Sequence, residues 1–246
     1  MIDLHCHILA NIDDGPSSIE GSLAMCRMAS DDGIKVIVAT PHFKPGLFPL
    51  PTADQVTDAA AQLNGMLAEE GVDLKILTGA EVRLTPDTLV YLENEDFLCI
   101  NETNLYFLLE FPNQLETIPG GWEMALGNLI RAGYRPIIAH PERNFYFLKN
   151  PYKLVRAVKS GALIQLTAQS VTGAAGDEAQ EFSNFLLSEG LVHAIATDSH
   201  STISRPTMLS EAVISASEII GEDKAIDLVT VIPGAIIEGI ELPVLE

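Results

Sequence analysis

Short apolar segments alternate with longer segments of helical periodicity along the whole chain. Parallel strands need a crossover connection, usually a helix, so seven successive strand–helix units predict an α/β fold built as a parallel (β/α)7 barrel. A length of 246 residues suits one such barrel, and we expect a single domain over residues 1–246. The predicted strands are residues 1–7, 34–40, 72–78, 105–110, 135–140, 162–167 and 192–200. The predicted helices are residues 18–32, 52–70, 86–95, 120–132, 151–160, 177–189, 208–220 and 223–229, and residues 43–51 are predicted to form a loop.

Histidine and acidic side chains follow six of the seven predicted strands, and only the strand at 162–167 lacks one. In a parallel barrel the carboxyl ends of the strands meet at one mouth, where active sites form. Spacing does not decide between Asp13 and Asp14, and His193, at the start of its strand, is interpreted as structural. The candidate site residues are His5, His7, Asp14, His42, Glu81, Glu110, His140, Asp198 and His200.

These nine side chains predict a multinuclear metal site. Imidazole and carboxylate ligands without thiolate suit Zn, Mn or Fe. Nine ligands exceed the needs of one ion, and a carboxylate such as Glu81 can bridge two ions. Three divalent ions would outweigh four carboxylates, so the pocket would be positive and could hold a phosphate dianion. Metal ions also lower the pKa of a bound water, which favours hydrolysis of a phosphate ester.

Two arginines lie on loops beside the candidate ligands. Arg143 comes three residues after His140, and Arg205 comes five residues after His200. A guanidinium binds phosphate oxygens bidentately and can offset charge in the transition state. We therefore expect both arginines at the same mouth as the ligands.

Three cysteines, Cys6, Cys26 and Cys99, do not predict a disulfide framework. No arginine stands six residues after any of them, so the sequence lacks the phosphate loop of cysteine-dependent phosphatases. Cys6 is expected to pack behind its strand. Aromatic residues are interpreted mainly as core, but Phe43, Leu47 and Phe48, just after His42, are either core cover or a platform for an aromatic leaving group.

The net charge of −20 restricts the partners of this chain. Such a surface argues against nucleic-acid binding and against docking on anionic lipid. No apolar run is long enough for a membrane span, and no signal peptide is recognisable, so we expect a cytoplasmic protein that is not membrane-inserted. Oligomeric state stays open at this stage.

The motifs HxH, a later His, Glu and His, and a terminal DxH resemble the polymerase-and-histidinol-phosphatase (PHP) superfamily. More narrowly, MIDLHCHIL, DDG, VATPH, GAEVRLTPD, LLEFP, PIIAHPERN and ATDSH closely resemble the bacterial metal-dependent protein-tyrosine phosphatases of the CpsB/YwqE type. The similarity covers residues 1–206 and weakens afterwards. It implies a distorted (β/α)7 barrel with three divalent ions, manganese above all, although Fe, Zn, Co and Mg are also compatible.

The same resemblance implies ligand sets and a substrate. One ion would be held by His5, His7, Glu81 and Asp198, a second by Glu81, Glu110 and His140, and a third by Asp14, His42 and His200. Arg143 and Arg205 would bind the phosphate as catalytic residues. The implied reaction is attack of a metal-activated hydroxide on phosphotyrosine. The implied partner is the tyrosine-phosphorylated tail of a bacterial kinase that controls capsular or exopolysaccharide synthesis.

Three alternatives compete with this interpretation. A histidinol-phosphate or other small-molecule phosphatase would use the same metals. An interaction module without catalysis would have lost ligands, whereas this sequence retains a full set. A C–N bond hydrolase of the amidohydrolase type usually adds a carboxylated lysine, and we expect no lysine at a strand end here.

Overall fold

The computed structural model describes residues 1–47, 49–94, 96–112 and 120–244, and Phe48 therefore lies outside the described residues. Within these ranges every strand pairing is parallel. The strands are β1 (Ile2–Cys6), β2 (Val36–Ala39), β3 (His42–Phe43), β4 (Lys75–Thr78), β5 (Glu81–Arg83), β6 (Tyr106–Glu110), β7 (Arg135–Ala139), β8 (Leu163–Thr167) and β9 (Ala194–Ala196). The helices are α1 (Ile19–Asp31), α2 (Ala53–Glu70), α3 (Thr88–Glu93), α4 (Trp122–Arg131), α5 (Phe145–Lys149), α6 (Tyr152–Lys159), α7 (Ala168–Thr172), α8 (Asp177–Ser188), α9 (Ser210–Ile220), α10 (Glu222–Asp227) and α11 (Val231–Ile237).

Two of the seven predicted strands are each broken into two pieces. β2 stops before Thr40–Pro41 and resumes as β3, and β4 stops before residues 79–80 and resumes as β5. Pro41 has no N–H to donate to a ladder, which explains the first break. The predicted loop at 43–51 was therefore wrong in its first residue, since Phe43 belongs to β3. After both breaks, β3 pairs with β5 in a register that sets His42 opposite Glu81.

The strands form two parallel sheets, with the orders β1, β2, β4 and β3, β5, β6, β7, β8, β9. β1 pairs with β2 along one edge. Along the other edge, Asp198 N–H donates to the His5 carbonyl oxygen and His7 N–H donates to the Ser199 carbonyl oxygen, both at 2.8 Å. These contacts connect the first strand to the residues that follow the last one, an arrangement that agrees with the barrel-like fold predicted from the sequence.

A small apolar cluster fills the space that the strands enclose. It takes at least one buried residue from each of seven strands: Leu4, Val38, Leu77, Leu108, Ile137, Leu163 and Ala194. Along β6 the side chains alternate, so that Leu108 faces this cluster while Phe107 and Leu109 join the larger cluster under the helices. Ile236 of α11 covers the amino-terminal end of the barrel. The carboxyl end is left for polar side chains.

The predicted helices are confirmed where the sequence carried clear caps. Ser18 Oγ accepts from Gly21 N–H at the start of α1. Thr52 and Gln55 form a reciprocal capping box at the start of α2. α5, α7 and α11 were not predicted, because each has at most seven residues and too few turns to show a period. None of the helices in the described ranges combines the length and apolar character needed to cross a bilayer.

His193 lies just before β9, away from the carboxyl ends of the strands, which agrees with its interpretation as structural. Its side chain is buried, and Nδ1 accepts a hydrogen bond from the Ile164 N–H at 3.2 Å. Burial lowers the pKa of His193 to about 4. At neutral pH the folded protein therefore contains the neutral imidazole.

This histidine makes stability depend on pH. An unfolded chain takes up a proton near pH 6.5, but the folded chain resists until about pH 4. The contribution of neutral His193 is thus complete above pH 6.5 and is lost as the pH falls towards 4. We expect His193→Asn, whose Oδ1 can keep the bond from Ile164, to remove about 2 kcal/mol of the stability loss between pH 7.5 and 4.5. Urea unfolding of both proteins at the two pH values measures this, and equal losses would contradict it.

Candidate metal centre

All nine candidate ligands come together at the carboxyl ends of the strands. The structure brings together four groups whose ligand atoms lie within 4.8 Å of one another. They are His7, Asp14, His42 and His200; His5, Glu81 and His140; His5, His7 and Asp198; and His42, Glu81 and Glu110. Glu110 thus lies with His42 and Glu81, whereas the resemblance implied a set with His140. Glu81 belongs to the group with His5 and His140 and also to the group with His42 and Glu110, as a carboxylate that bridges two ions would.

Three imidazoles are held by hydrogen bonds from Nδ1. His5 Nδ1 lies 3.0 Å from Gln165 Oε1, an oxygen that can only accept. His7 Nδ1 lies 2.7 Å from Asp13 Oδ2, and His200 Nδ1 lies 3.0 Å from the Asp198 carbonyl oxygen. Each of these rings therefore carries a proton on Nδ1, which leaves Nε2 as the metal-binding atom once the ring is neutral.

The Asp13–Asp14 pair divides into two roles. Asp13 holds His7 and also accepts from the backbone N–H groups of Gly15 and His42. Asp14 Oδ1 lies 3.2 Å from His200 Nε2 and 3.3 Å from His42 Nε2, which places it among the candidate ligands. Gly15 is required at its position, because a Cβ there would lie 2.3 Å from the His7 carbonyl oxygen.

Glu81 is buried at the middle of the cluster. Its Oε1 lies 2.8 Å from His140 Nε2, and its Oε2 lies 2.5 Å from His42 Nδ1. The pairing of β3 with β5 explains the second contact, since it sets His42 beside Glu81. His140 and Asp198 both have left-handed backbones, with φ of +34° and +49°. Such strain at non-glycine residues clusters at functional sites.

Charges in the cluster shift the pKa values of its members. Burial alone would raise the pKa of Glu81, but His5 and His42 hold it well below the usual range. Burial also opposes protonation of His7, but the charge of Asp13 and other carboxylates outweighs burial and raises the pKa of His7 to about 10. The carboxylates therefore stay ionised, and the cluster attracts cations, which compete with the protons on the imidazoles.

The donor set fits divalent metal ions. His5 Nε2 and His7 Nε2 lie only 3.2 Å apart, although the proton of each ring is engaged at Nδ1. Asp198 Oδ1 is 3.4 Å from both nitrogens. Two imidazole nitrogens and a carboxylate oxygen that converge at these distances can hold a divalent cation in place of the ring proton. Glu110 Oε2 is also buried and has no hydrogen-bond partner in the described part of the chain.

A cavity of about 740 Å³ opens over the cluster, with Asp14, His42, Glu110, His140 and Asp198 in its wall. Arg143 and Arg205 line the same cavity, as predicted, and each directs Nη1 at Asp198 Oδ2, at 2.5 and 3.2 Å. Phe111 and Leu148 add an apolar wall. Phe43 is buried against Tyr91 and Phe97 and is core. Of the two alternatives left open for this segment, core cover is the one that holds for Phe43.

Three residues of this site were not predicted from the sequence. Gln165 is a polar residue inside the apolar strand β8, a signal that could have been used, and its side-chain amide also donates to the Leu166 carbonyl oxygen. Glu142 is buried and accepts from the Thr167 N–H and hydroxyl. Lys44 directly follows β3, is 8% exposed and lies in the cavity wall. The expectation that no lysine lies at a strand end was therefore wrong.

The three cysteines are free and buried. Burial raises the pKa of Cys6 well above its usual value and raises those of Cys26 and Cys99 to about 12. We expect iodoacetamide at pH 8 to leave the folded protein unmodified and to alkylate all three thiols in denaturant, because the thiolate is the reactive form. Mass spectrometry measures the added groups, and rapid alkylation of Cys6 in the folded protein would contradict this.

Comparisons with known proteins agree with this site. The model of the family "Capsular polysaccharide synthesis, CpsB/CapC" matches residues 1–238. The tyrosine-protein phosphatase YwqE of Bacillus subtilis is 37% identical over 91% of this chain and 86% of its own length. The tyrosine-protein phosphatase CpsB of Streptococcus pneumoniae is 32% identical over 93% of this chain and 94% of its own.

A solved structure agrees as well. It comes from work on YwqE of Bacillus subtilis and CpsB of Streptococcus pneumoniae, described as unique metal-dependent tyrosine phosphatases. It superposes with a TM-score of 0.91 and 33% identity, and the alignment covers 100% of both chains. Family model, relatives and solved structure agree over nearly the whole chain, and the protein with this sequence belongs to the CpsB/CapC family.

Proposed function

We propose that this protein is a metal-dependent protein-tyrosine phosphatase. The observation that carries the proposal is the convergence of His5 Nε2, His7 Nε2 and Asp198 Oδ1, with both Nδ1 protons engaged elsewhere. The two tyrosine phosphatases that match over most of the chain support the same activity. We further propose that residues 1–246 form one domain.

We propose three divalent ions, manganese above all. The first would be held by His5, His7, Glu81 and Asp198, the second by Glu81 with Glu110 and His140, and the third by Asp14, His42 and His200. The position of Glu110 beside His42 supports sharing of ligands between the second and third sets. When bound, the ions supply a hydroxide at neutral pH and stabilise charge on the phosphoryl group.

The chain itself supplies binding and orientation. Arg143 and Arg205 present guanidinium groups at the cavity wall, next to Asp198, where they can bind two or more phosphate oxygens. Gln165 and Asp13 fix the rings of His5 and His7, so the ligand atoms are in place before a substrate arrives. Glu142 accepts hydrogen bonds from Thr167 and so attaches the turn that contains Arg143 to the end of β8. Phe111 and Leu148 offer an apolar wall for an aromatic leaving group.

We propose that the physiological substrate is the tyrosine-phosphorylated tail of a bacterial kinase that controls capsular or exopolysaccharide synthesis. The family description, capsular polysaccharide synthesis, supports this link. We also propose a cytoplasmic location, which three free cysteines support.

Substrate choice tests the proposal directly. We expect the protein with Mn²⁺ to hydrolyse a phosphotyrosine peptide far faster than a phosphoserine peptide or histidinol phosphate. EDTA should lower the rate at least about 100-fold, because the hydroxide and the charge stabilisation are lost together. Phosphate release measures all six combinations. Faster turnover of histidinol phosphate would assign the small-molecule alternative, and equal rates with and without EDTA would overturn the metal mechanism.

The arginines provide a second test. We expect Arg143→Ala and Arg205→Ala each to lower kcat/KM for the phosphotyrosine peptide about 100-fold, since each removes a donor to the phosphoryl oxygens. Arg143→Lys should recover only part of this loss, because lysine keeps the charge but not the paired donors. Bound metal is counted in every variant, because both arginines contact Asp198. Wild-type kcat/KM in either alanine variant would remove that arginine from the mechanism.

A further inference from the structure

Lys44 is a buried cation that the proposed mechanism does not use. It follows His42 by two residues, so alternation places both side chains on the same side of the β3 segment. Its Nζ lies 2.9 Å from Glu110 Oε1 and 3.3 Å from His42 Nε2. Lysine is almost never this buried unless it is paired, and the Glu110 and His42 contacts are with candidate metal ligands.

Both contacts fall within one ligand group. His42, Glu81 and Glu110 bring their ligand atoms within 4.8 Å of one another, and the Lys44 ammonium contacts two of the three. His42 Nε2 has a single lone pair, which cannot serve both an ammonium hydrogen and a metal ion, and the ammonium also offsets the charge by which Glu110 would attract that ion. A positive charge so close also repels a dication through a poorly screened interior.

We propose that the Lys44 ammonium is a built-in cation of the metal centre, which competes with a divalent ion for Glu110 and His42 and so makes this the most weakly held and most readily exchanged ion. The inference rests on metal binding by the proposed phosphatase but not on its substrate. Arg143 and Arg205 contact Asp198 Oδ2, so they leave Asp198 Oδ1 and the Nε2 atoms of His5 and His7 to an ion. Lys44, in contrast, contacts His42 at a nitrogen that would itself bind metal. Occupancy of the weak position, and with it activity, would then follow the free metal concentration.

The test counts bound ions as a function of free metal. Wild type, Lys44→Met, Lys44→Arg and Lys35→Met are dialysed against chelator-buffered Mn²⁺, and bound manganese per chain is measured by elemental analysis. Lys35 is the matched control, because it makes a 2.8 Å ion pair with Asp73 in an exposed position before β2. As free Mn²⁺ is lowered, we expect wild type to lose one ion first, at a higher free Mn²⁺ concentration than that at which it loses its other ions. Lys44→Met should retain that ion at about 10- to 100-fold lower free Mn²⁺. Lys44→Arg and Lys35→Met should follow wild type.

A second measurement keeps the inference testable if Lys44→Met folds poorly. Lys44→Gln is uncharged but polar, and thermal unfolding is followed in EDTA and in excess Mn²⁺. In EDTA both uncharged variants should melt below wild type, because Glu110 loses its partner. In Mn²⁺ the difference should shrink or reverse.

Equal or weaker manganese binding by both uncharged variants would overturn the inference, as would no bound manganese in any protein. A failed phosphotyrosine assay would leave it intact, because the dialysis needs no phosphate ester. The phosphatase proposal and the Lys44 inference are therefore tested by separate experiments.

Discussion

Hydrogen bonds to Nδ1 decide which way three histidine rings of this protein present their basic nitrogen. Asp13, Gln165 and the Asp198 carbonyl oxygen each accept from one ring, and the three Nε2 atoms are left to face the cluster. Without these acceptors a ring could exchange tautomers or turn, and its lone pair would be lost to the site. Metal binding at this cluster would therefore depend on the fixed acceptors behind the candidate ligands as much as on the ligands themselves.

The barrel brings those contacts together, and its irregularities are part of the site. The breaks at Thr40–Pro41 and residues 79–80 separate two strands into pieces, and only after the breaks does His42 face Glu81. In an unbroken strand the side chains would continue to alternate between the two faces beyond the cluster. The left-handed backbones of His140 and Asp198 act in the same way, since each turns the chain at the point where a ligand leaves the strand. The free-energy cost of these breaks and strained backbones is offset by burial of side chains in the apolar cluster within the strands and in the larger cluster under the helices.

Much of this arrangement follows from sequence periodicity. Apolar runs that end in His, Asp or Glu predicted both the strands and the convergence of the ligands, because parallel strands present one end to a common mouth. Spacing could not distinguish Asp13 from Asp14, since adjacent carboxylates have the same chemistry. Their neighbours in the fold separate the two roles, because Asp13 contacts His7 whereas Asp14 lies beside His42 and His200. Lys44 was missed because a lysine after a strand is usually solvated, and its burial depends on Glu110, a residue far away in sequence. Short helices such as α5 and α7 were missed because one or two turns carry no readable period.

The closing contacts of β1 have a consequence for biosynthesis. β1 is made first, yet one of its edges is completed only by residues 197–199, and the Ile2 N–H is engaged by the Val229 carbonyl oxygen. His5 and His7 therefore emerge from the ribosome long before Asp198 and His200, the candidate ligands beside them. Pairing of segments so distant in sequence slows folding, because the loop-closure entropy must be paid first. A nascent chain that reaches only to β8 carries seven of the nine candidate ligands but lacks residues 197–199, so the cluster is complete only when the last strand arrives.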